Sequence, residues 1–468
     1  MDKTSEGNVK RGVPRRILGT LLSSLSGGVV PRVGAPYIAI GRHDEIESLT
    51  TALDRVKEGE GATKFIIGRY GSGKSFLIQL SRGYALDRGF VTADCDLSPE
   101  RKLSGSGSSG LATYRELIKN IAVRSCPDGG ALPVILGKWF TAVAERIEED
   151  MPELEQGSAE YSAEFGRRIM KNLRELEADV GGFDFASVLR AYHAAWERDD
   201  EMLQSACLKW IRGEYNTRTE ARAATGIRSL SVINDDNWYD YLKLLTQFVR
   251  MVGYSGLCVY IDECVNLYKI PNRVSRENNY EKILAVFNDT MQGRAPGLIV
   301  IFGGTPQFLE DTRRGLFSYE ALRSRLQDSF GSGELRSLMQ PVIRLRRLSD
   351  AELYALVLRL TSLHGEYHKW TPRISDEEMR DFLSSSLSRE GADTMITPRE
   401  IIRDYVTLLD LLYTNKEYSY REIMEKIGKK QPISARSEEA GSAPAAGEES
   451  AAEERKAKPA VTLDDIEF

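Results

Sequence analysis

The chain predicts an α/β fold: a parallel sheet flanked by helices and followed by a helical lid. Three observations predict it. An apolar strand pattern at Lys64–Ile67 runs through a glycine-rich loop straight into a helical pattern near Lys74. Two further apolar runs, LCVYI at Leu257–Ile261 and LIVIF at Leu298–Phe302, are short and uninterrupted, as strands covered on both faces read. Between and after them the apolar residues recur at helical spacing, so the strands are joined by crossovers rather than hairpins. At 468 residues and 41% hydrophobic, the chain has material for two or three domains.

The elements follow in order. The first forty residues carry six Lys/Arg against two acids, and residues 1–10 read as disordered. Arg11–Leu25 has a short helical pattern with Ile17, Leu18, Leu21, Leu22 and Leu25 on one side, broken by Gly27-Gly28. This basic segment is assigned to 1–36. The first part of the core, 37–110, holds an amphipathic helix to about Lys57, the strand and loop at 64–75, a second strand at Phe90–Cys95, and a flexible Gly/Ser loop at Arg101–Gly110. A helical insertion occupies 111–252, with a break at Gly181-Gly182 and four of the five tryptophans (Trp139, Trp196, Trp210, Trp238). The second part of the core, 253–348, contains the two apolar runs and a shorter strand at Val342–Leu345. Ser349-Asp350 caps a helical lid, 349–430. The tail 431–468 holds nine acids and four bases, is rich in Ala, Glu, Ser and Gly, and reads as disordered.

The chemistry is concentrated at two strand ends. Gly68-Arg69-Tyr70-Gly71-Ser72-Gly73-Lys74-Ser75 fits G-x-x-x-x-G-K-[ST] between a strand and a helix, the context this pattern requires. Its glycines let backbone N–H groups turn inward around phosphate oxygens. Lys74 is placed to meet the β/γ-phosphates and the Ser75 hydroxyl to ligate Mg²⁺. Asp262-Glu263 closes the strand LCVYI. Asp262 is the second Mg²⁺ anchor, acting through water, and Glu263 the general base that polarises the attacking water. Together the two motifs predict that the chain binds ATP with Mg²⁺ and hydrolyses it.

These features resemble the AAA+ superfamily of P-loop NTPases. Within it, the segments GGVVPRVGAPYIAIGR, ADCDLSPE, LATYRELIKNI, IDECVNLYKI and GGTPQFLED are similar to the ATP-binding proteins of bacterial BREX phage-defence systems, the BrxC/BrxD group, and at this size to its small BrxD-type member. More distant likeness runs to origin-recognition initiators and to clamp or helicase loaders. The resemblance implies further site residues. Thr305, after the strand Leu298–Phe302, falls where such proteins carry a polar sensor of the γ-phosphate. Arg325, then Arg323, with Arg313-Arg314 behind, fall where an arginine finger enters a neighbour's site. Arg399, with Arg403 one turn on, fits the lid arginine that reaches back to the γ-phosphate. One departure is plain: Lys74 and Asp262 lie 188 positions apart, so the helical block between them is expected to project as an inserted subdomain.

The net charge of −6 excludes a wholly basic nucleic-acid binder. Five cysteines form no CxxC pair and the four histidines sit in no zinc spacing. No apolar run approaches a membrane span, and the expected compartment is the cytoplasm. Two functions fit. One is an oligomeric ATPase acting on DNA or a DNA-bound partner in phage defence. The other is a nucleotide-gated scaffold that turns over slowly and recruits effectors without touching DNA. The expected partners are further copies of the chain and other defence-system proteins, held by the insertion or the acidic tail, with DNA as a candidate. A small-molecule kinase fits less well, because the sequence carries no signature of an acceptor pocket.

Overall fold

The computed structural model describes residues 13–105, 107–327, 339–388 and 397–428. The readings of 1–10 and of the tail 431–468 as disordered lie outside these residues. The described chain divides into two units, one made by Val30–Leu348 and the other by the residues on either side of it.

The larger unit is built on a five-stranded sheet: β1 (Ala62–Ile67), β2 (Val91–Asp96), β3 (Leu257–Asp262), β4 (Leu298–Gly304) and β5 (Val342–Arg344). Their order is β2-β3-β4-β1-β5, and every neighbouring pair is parallel. Side chains alternate across a strand, so each strand feeds two cores. Ile66, Cys258, Tyr260, Ile299, Ile301 and Ile343 pack on one face with Leu49, Leu53 and Val56 of helix His43–Lys57 and Leu77, Ile78 and Leu80 of helix Lys74–Asp87. Phe65, Val91, Ala93, Val259, Val300 and Phe302 pack on the other. Both faces are apolar, which is why β3 and β4 read as unbroken hydrophobic runs.

The second core corrects one expectation. The inserted helices, from Ser109–Lys119 to Trp238–Met251, do not project as a separate body. Their Trp139, Phe185, Trp210 and Phe248 lie in the same continuous hydrophobic cluster as the sheet residues. Trp139 meets Phe248 edge-on at 5.2 Å, and Trp210 meets Tyr241 at 5.3 Å. The Gly/Ser segment before the insertion is tied down at Leu103 and Ser104. Asn279, fully buried on helix Arg273–Met291, accepts the Leu103 and Ser104 N–H groups at 2.8 and 2.9 Å. Its amide nitrogen donates to the Ser104 and Ser275 carbonyls, so both ends of the side chain are satisfied.

Within the insertion, His193 stacks on Phe165 at 5.4 Å and is 7% exposed. Burial holds its pKa below the usual value, and Glu197, at 3.7 Å, opposes that only in part. A depressed histidine pKa means that the fold disfavours the charged ring. The stabilisation is complete above the unfolded value of roughly 6.5 and is lost as pH falls through the folded one. The melting temperature should therefore drop on acidification below pH ~6.5, and His193→Phe should flatten that dependence. A melting profile that keeps its full pH slope in the variant would assign the titration elsewhere.

The smaller unit contains helices Arg15–Ser26, Asp350–His368, Asp376–Leu387, Pro398–Thr414 and Tyr420–Gly428. Ser349, Ser375 and Thr397 each close a capping box with the Glu three residues on. Among the described residues, 13–29 belong to this unit rather than to a segment of their own with 30–36. Helix Arg15–Ser26 buries Leu18, Leu21, Leu22 and Leu25 and packs against helices Asp350–His368 and Pro398–Thr414. Residues 30–36 belong to the larger unit. The apolar stripe announces a packing face, but its partners lie at the other end of the chain.

His364, His368 and Asp410 also meet here, a juxtaposition that the one-turn spacing of the two histidines could have announced. The Trp370 indole donates to His364 Nδ1 at 3.0 Å, so the ring proton sits on Nε2, facing Asp410 at 2.9 Å. His364 thus keeps no lone pair for a cation.

Candidate functional site

The loop from Gly68 to Gly73 joins β1 to helix Lys74–Asp87. Gly73 has φ +93°, in the region where a side chain is strained, and it turns the chain into the helix. Among the described residues, Ser72 Oγ is buried with no hydrogen-bond partner, and Lys74 Nζ reaches only the Arg69 carbonyl at 3.4 Å. A turn that leaves a buried hydroxyl orphaned and an ammonium nearly unpartnered fits an anionic ligand. Arg69 and Tyr70 face solvent at the loop tip, Tyr70 at 84% exposure.

The second strand end meets this loop directly. Ser75 Oγ donates to Asp262 Oδ2 at 2.9 Å, although the two residues are far apart in sequence. Asp262 is 6% exposed, and its Oδ1 accepts the Glu263 N–H at 2.8 Å. The carboxylate lies so close to β4 that a Cβ at Gly303 would stand 2.3 Å from Oδ1. Only glycine fits there. Glu263 itself is in the left-handed region, φ +57°, a conformation costing roughly 1–3 kcal/mol in a non-glycine residue. The Asp262 bond and the Cys264 N–H to Gly303 carbonyl bond (3.0 Å) hold the turn and present the Glu263 side chain to solvent.

Ser75, Asp262 and Glu263 line a cavity of about 190 Å³ with Asp94, Asp96 and Arg32. The β2 carboxylates were missed in the sequence. Asp96 pairs in register with Asp262, and the alternation in Ala93-Asp94-Cys95-Asp96 puts both acids on one side of the strand. Burial raises the pKa of Asp96, and the negative charges of Asp262 and Glu263 add to it. Asp94 is paired with Arg82 at 3.1 Å; the carboxylates of Asp96, Asp262 and Glu263 beside the Ser75 hydroxyl form an oxygen donor set that a small divalent cation relieves.

The remaining predicted residues sit as follows. Thr305, at the end of β4, caps helix Pro306–Glu310: its hydroxyl oxygen accepts the Phe308 N–H at 3.3 Å and keeps its proton to donate. Arg325 is exposed and held by Asn288 at 3.2 Å and the Ala321 carbonyl at 2.6 Å. Arg323 lies against Glu320 and Gln327. Arg313 is exposed, while Arg314 binds the Tyr268 and Ile270 carbonyls at 3.2 Å, a structural clamp. In the smaller unit, Arg399 donates to the Gly28 carbonyl and Arg403 pairs with Asp404 at 3.0 Å.

A search of the curated proteins finds no match. A family profile described as BREX system ATP-binding protein BrxC/D matches residues 13–427, which take in the N-terminal helix, the loop at 68–75, the whole insertion and the helices after β5. With both strand-end motifs inside a match of that length, the chain belongs to the BREX system ATP-binding protein BrxC/D family.

Proposed function

We propose that this chain is a Mg²⁺-dependent AAA+ ATPase of a bacterial anti-phage defence system, of the small BrxD type. The observation that carries this reading is the Ser75–Asp262 hydrogen bond, which joins the two strand-end motifs side by side. Backbone N–H groups of Gly68–Ser75 and the Lys74 ammonium hold the phosphates. Ser75 and Asp262 would hold Mg²⁺, which would supply charge neutralisation at the phosphate oxygens. Glu263 takes the proton of the attacking water and Thr305 orients that water. An arginine from a neighbouring copy, Arg325 first and Arg323 second, and the lid Arg399 stabilise the developing charge. Assembly is therefore part of the activity. The target is DNA or a DNA-bound partner, as in the initiators and loaders of the same superfamily, with the insertion and the acidic tail docking other components.

The second reading, a nucleotide-gated scaffold, is favoured by charge: the tail holds nine acids against four bases, so little of the net −6 falls on the rest. A near-neutral body gives DNA little to bind non-specifically. Calorimetric titration with ATP and Mg²⁺, phosphate release, and light scattering with and without ATP and DNA separate the two. Under the first reading, ATP drives assembly and DNA or a partner stimulates turnover. ATP binding with slow turnover that neither DNA nor any partner raises selects the scaffold. Lys74→Ala should weaken ATP binding about tenfold or more, the worth of hydrogen bonds to a charged group. Unchanged affinity would remove the loop from the site. Among the described residues no helix is long and apolar enough to cross a membrane.

A further inference from the structure

We infer that Arg42 is a positioning residue for the phosphate loop, fixing the direction of the Ser72–Gly73 peptide; this rests on the nucleotide reading of that loop. Arg42 immediately precedes helix His43–Lys57 and is 4% exposed. Its Nη2 donates to the Ser72 carbonyl at 2.9 Å. Its Nη1 donates to the Arg346 carbonyl just past β5 at 3.0 Å and to Glu45 Oε1 at 3.2 Å. Glu45 is itself 6% exposed, so the pair is buried as a neutral unit. One planar guanidinium thus joins three pieces of chain: the phosphate loop, the end of the sheet and the helix before β1.

The consequence follows from peptide geometry. In a trans peptide the C=O and N–H point in opposite directions. With the Ser72 oxygen bound to Arg42, the N–H of Gly73 is turned away from Arg42. Glycine resists a peptide flip less than any other residue, and a flip here would aim a carbonyl, rather than an N–H, at an anion. Arg42 removes that freedom before any ligand arrives. It acts through the loop backbone, by its bond to the Ser72 carbonyl.

The test uses the full chain with ADP as probe. Arg42→Met/Glu45→Met deletes the buried pair as a unit and strands no charge. The expected result is a melting temperature close to wild type, an ADP affinity lower by about tenfold or more, and faster amide exchange in the 71–75 peptide without nucleotide. ADP affinity within about twofold of wild type in the folded double variant would overturn the inference. Arg42→Lys keeps the charge for Glu45 but loses the fork. It should remain folded and still bind ADP more weakly, and if the double variant fails to fold this variant decides the question, unchanged affinity again overturning it. Wild-type protein that binds no ADP would instead refute the nucleotide reading of the loop, and the role of Arg42 with it.

Discussion

Glu263→Gln is expected to retain ATP while turnover falls roughly 10²–10⁴-fold, the usual worth of a general base. The amide matches the carboxylate in shape but cannot take a proton from water. Nothing in the binding machinery changes: Lys74, Ser75 and Asp262 stay in place, and the Glu263 N–H still donates to Asp262. The left-handed backbone at this position is set by bonds the side chain does not make, so the substitution leaves the turn intact. Phosphate release measured beside nucleotide retention on a filter reads both quantities. Hydrolysis at the wild-type rate would take Glu263 out of the mechanism.

Arg325→Ala should lower turnover by roughly 10³-fold or more, the range for loss of an arginine finger, while isolated subunits bind ATP as before. Arg325 is exposed, and its partners are one asparagine and a carbonyl of its own helix, so its removal leaves no buried group unsatisfied. Arg314 is the contrasting control: it holds the Tyr268, Lys269 and Ile270 carbonyls, and its loss should reduce stability. Mixing Arg325→Ala with Lys74→Ala should restore part of the activity, since each subunit supplies what the other lacks. If mixed assemblies form and no activity returns at any ratio, the site is not shared between copies. Arg323→Ala, compared in the same assay, settles which arginine of that helix enters the neighbour.

What could be read in advance was local. The five strands, the 68–75 loop and the Asp262-Glu263 strand end are contiguous stretches whose pattern and chemistry coincide, and the structure places them within one or two residues of expectation. What could not be read depends on register and strand order. Asp94 and Asp96 join the site because β2 lies beside β3, with the whole insertion between them in sequence. Arg42 and Arg346 meet because β5 lies beside β1. The insertion reads as a separate body because periodicity shows that a helix has an apolar face but not what that face covers. Arg314 and Arg325 look alike in sequence, and only the carbonyls around Arg314 separate them.

The pairing of helix Arg15–Ser26 with the last helices of the chain has a consequence for biosynthesis. At roughly 5–20 residues per second, this helix leaves the ribosome some tens of seconds before Asp350–His368 and Pro398–Thr414 exist. Through that interval Leu18, Leu21, Leu22 and Leu25 have no native cover, while the strands and insertion that follow are already free to collapse on one another. A nascent chain of this protein is thus obliged to keep this apolar stripe out of the growing core, or in the hands of a chaperone, until those two helices have been made. A transcript cut short before codon 350 supplies neither of the helices that cover the stripe.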